Sequence, residues 1–139
     1  MIILDTNVLS ELFRPSPAVQ VEAWLAAQDG AQVYFTAVGE AELRHGAAIL
    51  PAGKRRDDLT KAIDAILEED FRHRILPFDR AAAHAYALIA AERRAAGRPI
   101  SQFDCQIAAI ARANQAVIAT RNTTDYDGCG ISIVNPWLP

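Results

Sequence analysis

Acidic residues recur at places in this chain where carboxylates could meet and do chemistry. Asp5 comes directly after the apolar run 1–4, and Glu42, Asp104 and Asp125 follow further along the chain. Four apolar residues are too few for a helix and are typical of a strand buried on both faces. A carboxylate at the carboxyl end of such a strand lies where open parallel sheets bind ligands. The alternative for Asp5 alone is that it only caps the helix that follows.

Glu42 lies in a predicted helix over 37–50, together with a second glutamate, Glu40. At 100° per residue, Glu40 lies nearly opposite Glu42 and is expected to face solvent with Arg44. Glu42 is expected to share an apolar stripe with Val38, Ala41, His45 and Ile49. An inward carboxylate must be paired, protonated or bound to a metal ion. The alternative to a metal site is an ion pair with an arginine that faces the core.

Asp104 and Asp125 each have a structural alternative to a role in a carboxylate site. Asp104 follows Ser101 at the spacing of a helix capping box, although the apolar face of the helix over 101–114 leaves room for an inward carboxylate. Asn122 and Asp125 follow the apolar strand 117–119, so they reach either the crevice beside Asp5 or a plain polar turn. Asp79 is predicted to be a helix N-cap.

These positions need a scaffold in which strands and helices alternate. Apolar runs predict strands near 1–4, 33–36, 75–78, 117–119 and 131–134, and periodic apolar residues predict helices near 8–13, 21–25, 37–50, 54–71, 81–96 and 101–114. Ser16 and Pro17 are expected to begin the second helix. This alternation predicts one three-layer α/β/α domain over residues 1–139, with a central, mostly parallel sheet of about five strands.

The composition and charge favour a globular protein with a cation site over a binder of bulk polyanions. The chain is 51% hydrophobic and 22% charged, with a formal charge of −3, which is typical of a globular protein and argues against a binder of bulk polyanions. If four of the 17 acids share a pocket, the other 13 are balanced by 14 basic residues. A focused acidic site in a nearly neutral protein attracts a cation first.

The remaining residue types exclude other kinds of site. Cys105 and Cys129 form no C-x-x-C motif, and the histidines at 45, 73 and 84 are scattered, so neither zinc nor a disulfide framework is indicated. No apolar run approaches the ~20 residues of a membrane span. We therefore expect a cytoplasmic protein with no membrane partner.

An ordered set of motifs gives the sequence a family resemblance. The motifs are Asp5-Thr6-Asn7 after a strand, Ala41-Glu42-Leu43-Arg44-His45-Gly46 in a helix, Asp104 in a helix's first turn, and Thr120-Arg121-Asn122 after a strand. In this order they resemble PIN-domain ribonucleases, specifically the VapC-like toxins of toxin–antitoxin pairs. The closing Asn135-Pro136-Trp137 is similar to the FitB-type subgroup.

The resemblance implies an endoribonuclease that depends on Mg²⁺ or Mn²⁺ and leaves a 5′-phosphate and a 3′-hydroxyl. Asp5, Glu42 and Asp104 match the catalytic, metal-binding acids of the family. Its further implied site residues, which would orient substrate or water, are Thr6, Thr120, Asn122 and Asp125. The implied partners are an RNA substrate, a cognate antitoxin that inserts an arginine into the crevice, and a second copy of the chain in a homodimer or larger assembly.

Position 122 departs from the family pattern, which often has Asp where this chain has Asn122. We expect Asp125 to supply the missing charge, through a metal-bound water, and Asn122 to orient a water or another acid. The alternative is that Asp125 caps a turn and three carboxylates are sufficient. The substitution also supports an alternative function, a non-catalytic PIN-like module that binds RNA or a partner.

Two other classes fail on particular residues. A phospho-accepting receiver domain needs a lysine near the last strands, but the only lysines are Lys54 and Lys61. A haloacid-dehalogenase-type phosphatase needs D-x-D, and Asn7 replaces the second aspartate.

Overall fold

The computed structural model describes all 139 residues and contains one sheet of five parallel strands. The strands are β1 Ile2–Leu4, β2 Val33–Thr36, β3 Ile75–Leu76, β4 Val117–Ala119 and β5 Ser132–Val134. Their order is β3-β2-β1-β4-β5, and every neighbouring pair is parallel. The predicted sheet is confirmed, and β3 is an edge strand that ends before Pro77, as expected for a residue without an N–H.

Six helices connect the strands and confirm the predicted alternation. They are α1 Thr6–Leu12, α2 Val19–Ala26, α3 Ala37–Ala48, α4 Lys54–Ala65, α5 Arg80–Ala95 and α6 Gln102–Ala113. A π-helical turn, Ile66–Asp70, extends α4, and a 3₁₀ turn, Thr123–Tyr126, follows β4. None of the helices is both long enough and apolar enough to span a bilayer.

The predicted start of α2 at Ser16 and Pro17 is wrong. The N-cap is Ala18, which is extended and offers no side-chain cap, and the helix begins at Val19. The Glu11 carboxylate accepts the Ala18 N–H at 2.9 Å and so fixes the chain just before the helix.

The sheet separates two apolar cores because successive strand residues point to opposite faces. Ile3 packs with α5 and α6 on one face, while Leu4 packs with α1, α3 and α4 on the other. This gives the three-layer α/β/α arrangement expected from the sequence. Since all strands are parallel, their carboxyl ends share one edge of the sheet, and the residues that follow β1, β2 and β4 are gathered there.

Candidate active site

Asp5 joins β1 to α1 and is buried, with 6% of its surface exposed. Its extended backbone makes it the N-cap of α1, and its Oδ1 accepts the Thr6 N–H at 2.8 Å. Burial raises the pKa of this carboxyl, while hydrogen bonds from Thr120, Thr6 and Tyr126 act in the opposite direction. The capping role is therefore real, but it leaves a buried carboxylate at the carboxyl edge of the sheet.

Thr120 connects the end of β4 to the end of β1. Its buried hydroxyl donates to Asp5 Oδ2 at 2.8 Å and accepts from the Asn122 backbone N–H at 3.1 Å. The Asn7 side-chain amide lies 3.3 Å from both Asp5 Oδ2 and Thr120 Oγ1. Asn7 also accepts the Arg121 N–H at 3.3 Å, so polar contacts fix both strand ends.

Glu42 is half-buried on α3, and its Oε1 accepts the Thr6 hydroxyl proton at 2.7 Å. Burial raises the pKa of this carboxyl, and the negative charges of Asp5 and Asp104 raise it further. Glu40 instead pairs with Arg44 at 2.8 Å, as predicted.

The predicted buried stripe of α3 is wrong, because Ala41, His45 and Ile49 are exposed. The helix instead buries Gly39, Leu43 and Ala47. The reason is Gly39, which has no Cβ and lets the Phe35 ring approach so closely that an added Cβ would lie 2.6 Å from the ring. Glu42 is thus at the border of the buried face and is half-buried for that reason.

Asp104 lies in the first turn of α6, where the predicted capping contact is present. Ser101 is the N-cap, and its hydroxyl oxygen accepts the Asp104 N–H at 3.3 Å. The Asp104 carboxylate remains free to contact another element, and its Oδ1 accepts the Tyr126 hydroxyl at 3.4 Å. Asp79 is likewise the N-cap of α5, as predicted.

The three carboxylates act on one another electrostatically. Asp104 raises the pKa of Asp5, and both raise that of Glu42. None of the three takes part in any of the ion pairs of the structure, so Glu42 has no arginine partner. A cluster of mutually repelling carboxylates without a cation is suited to bind one.

The donor set fits a hard divalent cation in its chemistry, although the oxygens do not form a ready-made cage. No three Asp, Glu, His or Cys side chains are arranged to enclose a metal ion. Thr6, Thr120 and Tyr126 instead bond the carboxylate oxygens of Asp5, Glu42 and Asp104. Such an all-oxygen set suits Mg²⁺, which keeps several waters and needs only one or two protein carboxylates.

Asn122 and Asp125 are placed differently from these acids. Both are exposed, and the Asn122 backbone N–H contacts the Thr120 hydroxyl. The carboxylate of Asp125 makes no hydrogen bond or ion pair. Its backbone carbonyl accepts from Arg93, and its backbone N–H donates to the Asn122 carbonyl at 3.1 Å. This placement favours the alternative in which three carboxylates are sufficient.

Three residues of the site were not singled out from the sequence as its components. Tyr126 contacts Asp104, Asn7 contacts Asp5 and Thr120, and Arg93 bonds the segment that carries Tyr126. Asn7 belongs to a motif that the sequence did reveal. Tyr126 and Arg93 gave no local signal, because an aromatic after a polar turn and an arginine in an Ala-rich helix are both common.

A groove of about 980 Å³ opens beside Thr6 and Glu42, between α1, α3 and α4. Its floor is apolar and includes Leu43, Leu59 and Ile63, and its rim carries charged side chains of both signs. Its other lining residues include Thr6, Ser10, Phe13, Arg14, Glu42, Lys54, Arg55 and Asp58.

Comparison with known proteins agrees with this fold. Residues 2–126 match the PIN domain family, and the chain therefore belongs to that family. It is 41% identical to the VapC ribonuclease Y4jK of Sinorhizobium fredii, covering 100% of this chain and 99% of that protein. It is 39% identical to the toxin FitB of Neisseria gonorrhoeae, covering 99% of each.

A solved structure described as FitAB bound to an IR36 DNA fragment superposes with a TM-score of 0.94. The two chains are 38% identical, and the match covers 100% of this chain and 97% of the other.

Proposed function

We propose that this protein is a Mg²⁺- or Mn²⁺-dependent endoribonuclease that acts in the cytoplasm as the toxin of a toxin–antitoxin pair. The observation that carries the proposal is the cluster of Asp5, Glu42 and Asp104. The charge of Asp104 raises the pKa of Asp5, the charges of both raise the pKa of Glu42, and none of the three forms an ion pair. Its likeness to a protein named as a ribonuclease and to another named as a toxin, each over 99% or more of the chain, supports the same function.

Asp5, Glu42 and Asp104 would hold the ion, which neutralises a phosphate oxygen and makes a bound water more acidic. Thr6 and Thr120 each bond one carboxylate and so keep Glu42 and Asp5 turned toward the shared crevice. Hydrolysis adds water at phosphorus and breaks its bond to the 3′ oxygen, which leaves as a hydroxyl. Asn122, which is exposed and donates its backbone N–H to Thr120, is available to orient water or substrate.

The proposal is tested by RNA cleavage with purified protein. Wild type should cut RNA, lose activity in EDTA and regain it with Mn²⁺. The variants Asp5→Asn, Glu42→Gln and Asp104→Asn should each lose nearly all activity and keep the fold, as judged by circular dichroism. Full activity of Glu42→Gln would overturn the assignment of that residue.

Two matched variants control for the loss of any acid. Glu40→Gln removes a carboxylate from the same helix, one that pairs with Arg44 instead of joining the cluster. Asp79→Asn keeps an N-cap side chain on α5. Both should retain wild-type cleavage.

The fourth position is tested by metal affinity. Asn122→Asp should tighten Mn²⁺ binding several-fold, because it adds a charge at the crevice. Asp125→Asn should leave it unchanged, because that carboxylate is exposed and contacts no other site residue. Weaker binding by Asp125→Asn would instead assign Asp125 to the site. Calorimetry on metal-free protein measures both.

An antitoxin is the partner that we propose for the groove beside Glu42. Its apolar floor suits an amphipathic segment, and Glu42, the acid of the cluster that lines it, suits an arginine, whose guanidinium pairs bidentately with a carboxylate. The purified complex should be inactive and should regain activity at high metal concentration. Full activity of the complex would refute this inhibition. The mass of the complex in solution would test the proposed homodimer or larger assembly.

A non-catalytic PIN-like binding module is the second candidate. The exposed Asn122 and the absence of a ready-made metal cage favour it. It predicts RNA binding that neither EDTA nor loss of Asp104 changes, with no cleavage under any metal condition.

A further inference from the structure

Arg93 is a buried arginine with no carboxylate partner. Only 7% of its surface is exposed, near the last turn of α5. Its Nε donates to the Arg98 carbonyl at 2.6 Å, and its Nη1 donates to the carbonyls of Asp125 and Asp127, both at 2.9 Å. Burying a guanidinium among neutral acceptors costs free energy, because no carboxylate compensates its charge. These contacts therefore indicate a role for Arg93 beyond filling the core.

The two carbonyls that share Nη1 are those on either side of Tyr126. Tyr126 is 1% exposed and lies in the same apolar core as α5 and α6. Fixing the backbone before and after one residue also fixes the direction of its side chain. Arg93 therefore restrains the backbone that carries the Tyr126 ring.

The Tyr126 hydroxyl lies between two acids of the site. It donates to Asp104 Oδ1 at 3.4 Å, and it lies near enough to Asp5 to lower the pKa of that carboxyl. A tyrosine hydroxyl is a hydrogen-bond donor at neutral pH, because the ordinary pKa of a phenol is about 10. The Tyr126 hydroxyl thus lies beside the carboxylate that follows β1 and the carboxylate in the first turn of α6.

We propose that Arg93 is a positioning residue, which acts through Tyr126 to keep the carboxylate of Asp104 beside that of Asp5 and so supports the proposed cation site. The inference rests on the proposed metal site and extends it beyond the three acids. Arg98 reinforces the same segment, with its guanidinium 3.5 Å from the Thr124 carbonyl and 3.7 Å from Asp127.

A double-mutant cycle on metal-free protein tests the proposal, with Mn²⁺ affinity measured by calorimetry. Tyr126→Phe keeps the ring and removes the hydroxyl, and it should weaken Mn²⁺ binding about 10-fold, the size usual for groups that orient metal ligands. Arg93→Lys keeps the charge but has a single donor nitrogen, which cannot take the positions of both Nε on the Arg98 carbonyl and Nη1 on the carbonyls of Asp125 and Asp127, and it should weaken binding to a similar extent. Arg94→Lys, at the exposed neighbouring position, is the matched control and should bind as wild type does.

The double variant separates positioning from general destabilisation. If Arg93 acts through Tyr126, the double variant should bind Mn²⁺ no more weakly than the worse single variant. Independent, multiplying losses would overturn the proposal, and so would wild-type affinity in either single variant. If Arg93→Lys does not fold, Arg93→Gln keeps an amide donor and is held to the same criterion. Failure of wild type itself to bind Mn²⁺ would refute the proposed metal site, a different result.

Discussion

The hydroxyl of Thr120 gives the sharpest single test of how the site is held together. Thr120→Val keeps the shape of the side chain but removes a fully buried group that donates to Asp5 and accepts from the Asn122 N–H. A hydrogen bond to a charged group contributes about 1.5–3 kcal/mol, and one between neutral groups contributes about 1 kcal/mol. We therefore expect a loss of about 2–4 kcal/mol in the free energy of unfolding.

The expected change in melting temperature follows from the size of the protein. For 139 residues, an unfolding entropy of about 2.1 cal/mol/K per residue means that each kcal/mol shifts Tm by about 3–4 °C. Thr120→Val should then melt roughly 7–14 °C below wild type at pH 7 without metal. The loss should shrink at low pH, because the bond to Asp5 is stronger when that carboxyl is ionised, which is why Thr120 lowers its pKa.

Thr120→Ser provides the matched comparison, since it keeps the hydroxyl and loses only a methyl group. That loss should cost about 1 kcal/mol, and differential scanning calorimetry resolves the two variants. If Thr120→Val melted at or above Thr120→Ser, the hydroxyl would not stabilise the strand ends, and the reasoning from Asp5 would be wrong.

Two further predictions concern the charges and the packing around the site. The pKa values of Asp5 and Glu42 in the folded protein lie above their ordinary values of 3.8 and 4.5. Between the ordinary and the raised pKa values, the folded protein therefore binds more protons than the unfolded chain. Stability without metal should fall as pH rises through this range and level off above the raised pKa values, and Asp5→Asn should flatten the fall in urea titrations. Gly39→Ala should lower stability by about 1–3 kcal/mol, because its Cβ would lie 2.6 Å from the Phe35 ring. Gly46→Ala, with open space around it, should be neutral or stabilising by up to ~1 kcal/mol in thermal melts; equal melting of the two alanine variants would refute the packing argument.

The architecture was predictable because apolar runs and helical periodicity agree along this whole chain. The strand before Asp5 and the helix around Asp104 each follow from a few neighbouring residues. Their parallel pairing follows from the alternation of strands and helices, without knowledge of any distant contact.

The site was less predictable where it depends on contacts far apart in sequence. The orientation of α3 depends on one glycine meeting Phe35, which shifts the buried face away from that inferred from periodicity. Tyr126 contacts Asp104 from a turn whose backbone is bonded by Arg93, on another helix. Periodicity carries no information about such contacts.

The parallel pairing of β1 with β4 also determines when the site can exist during folding. Ile3 pairs with Ile118, and Asp5 meets Thr120 across 115 positions of sequence. Such long-range pairing is slow, because the loop must close before any contact rewards it. During synthesis Asp5 and Glu42 emerge well before β4, so their crevice is completed only after β4 has been synthesised. A chain that stops before β4 carries the acids without the scaffold, which ties the activity proposed here to a folded chain that includes β4.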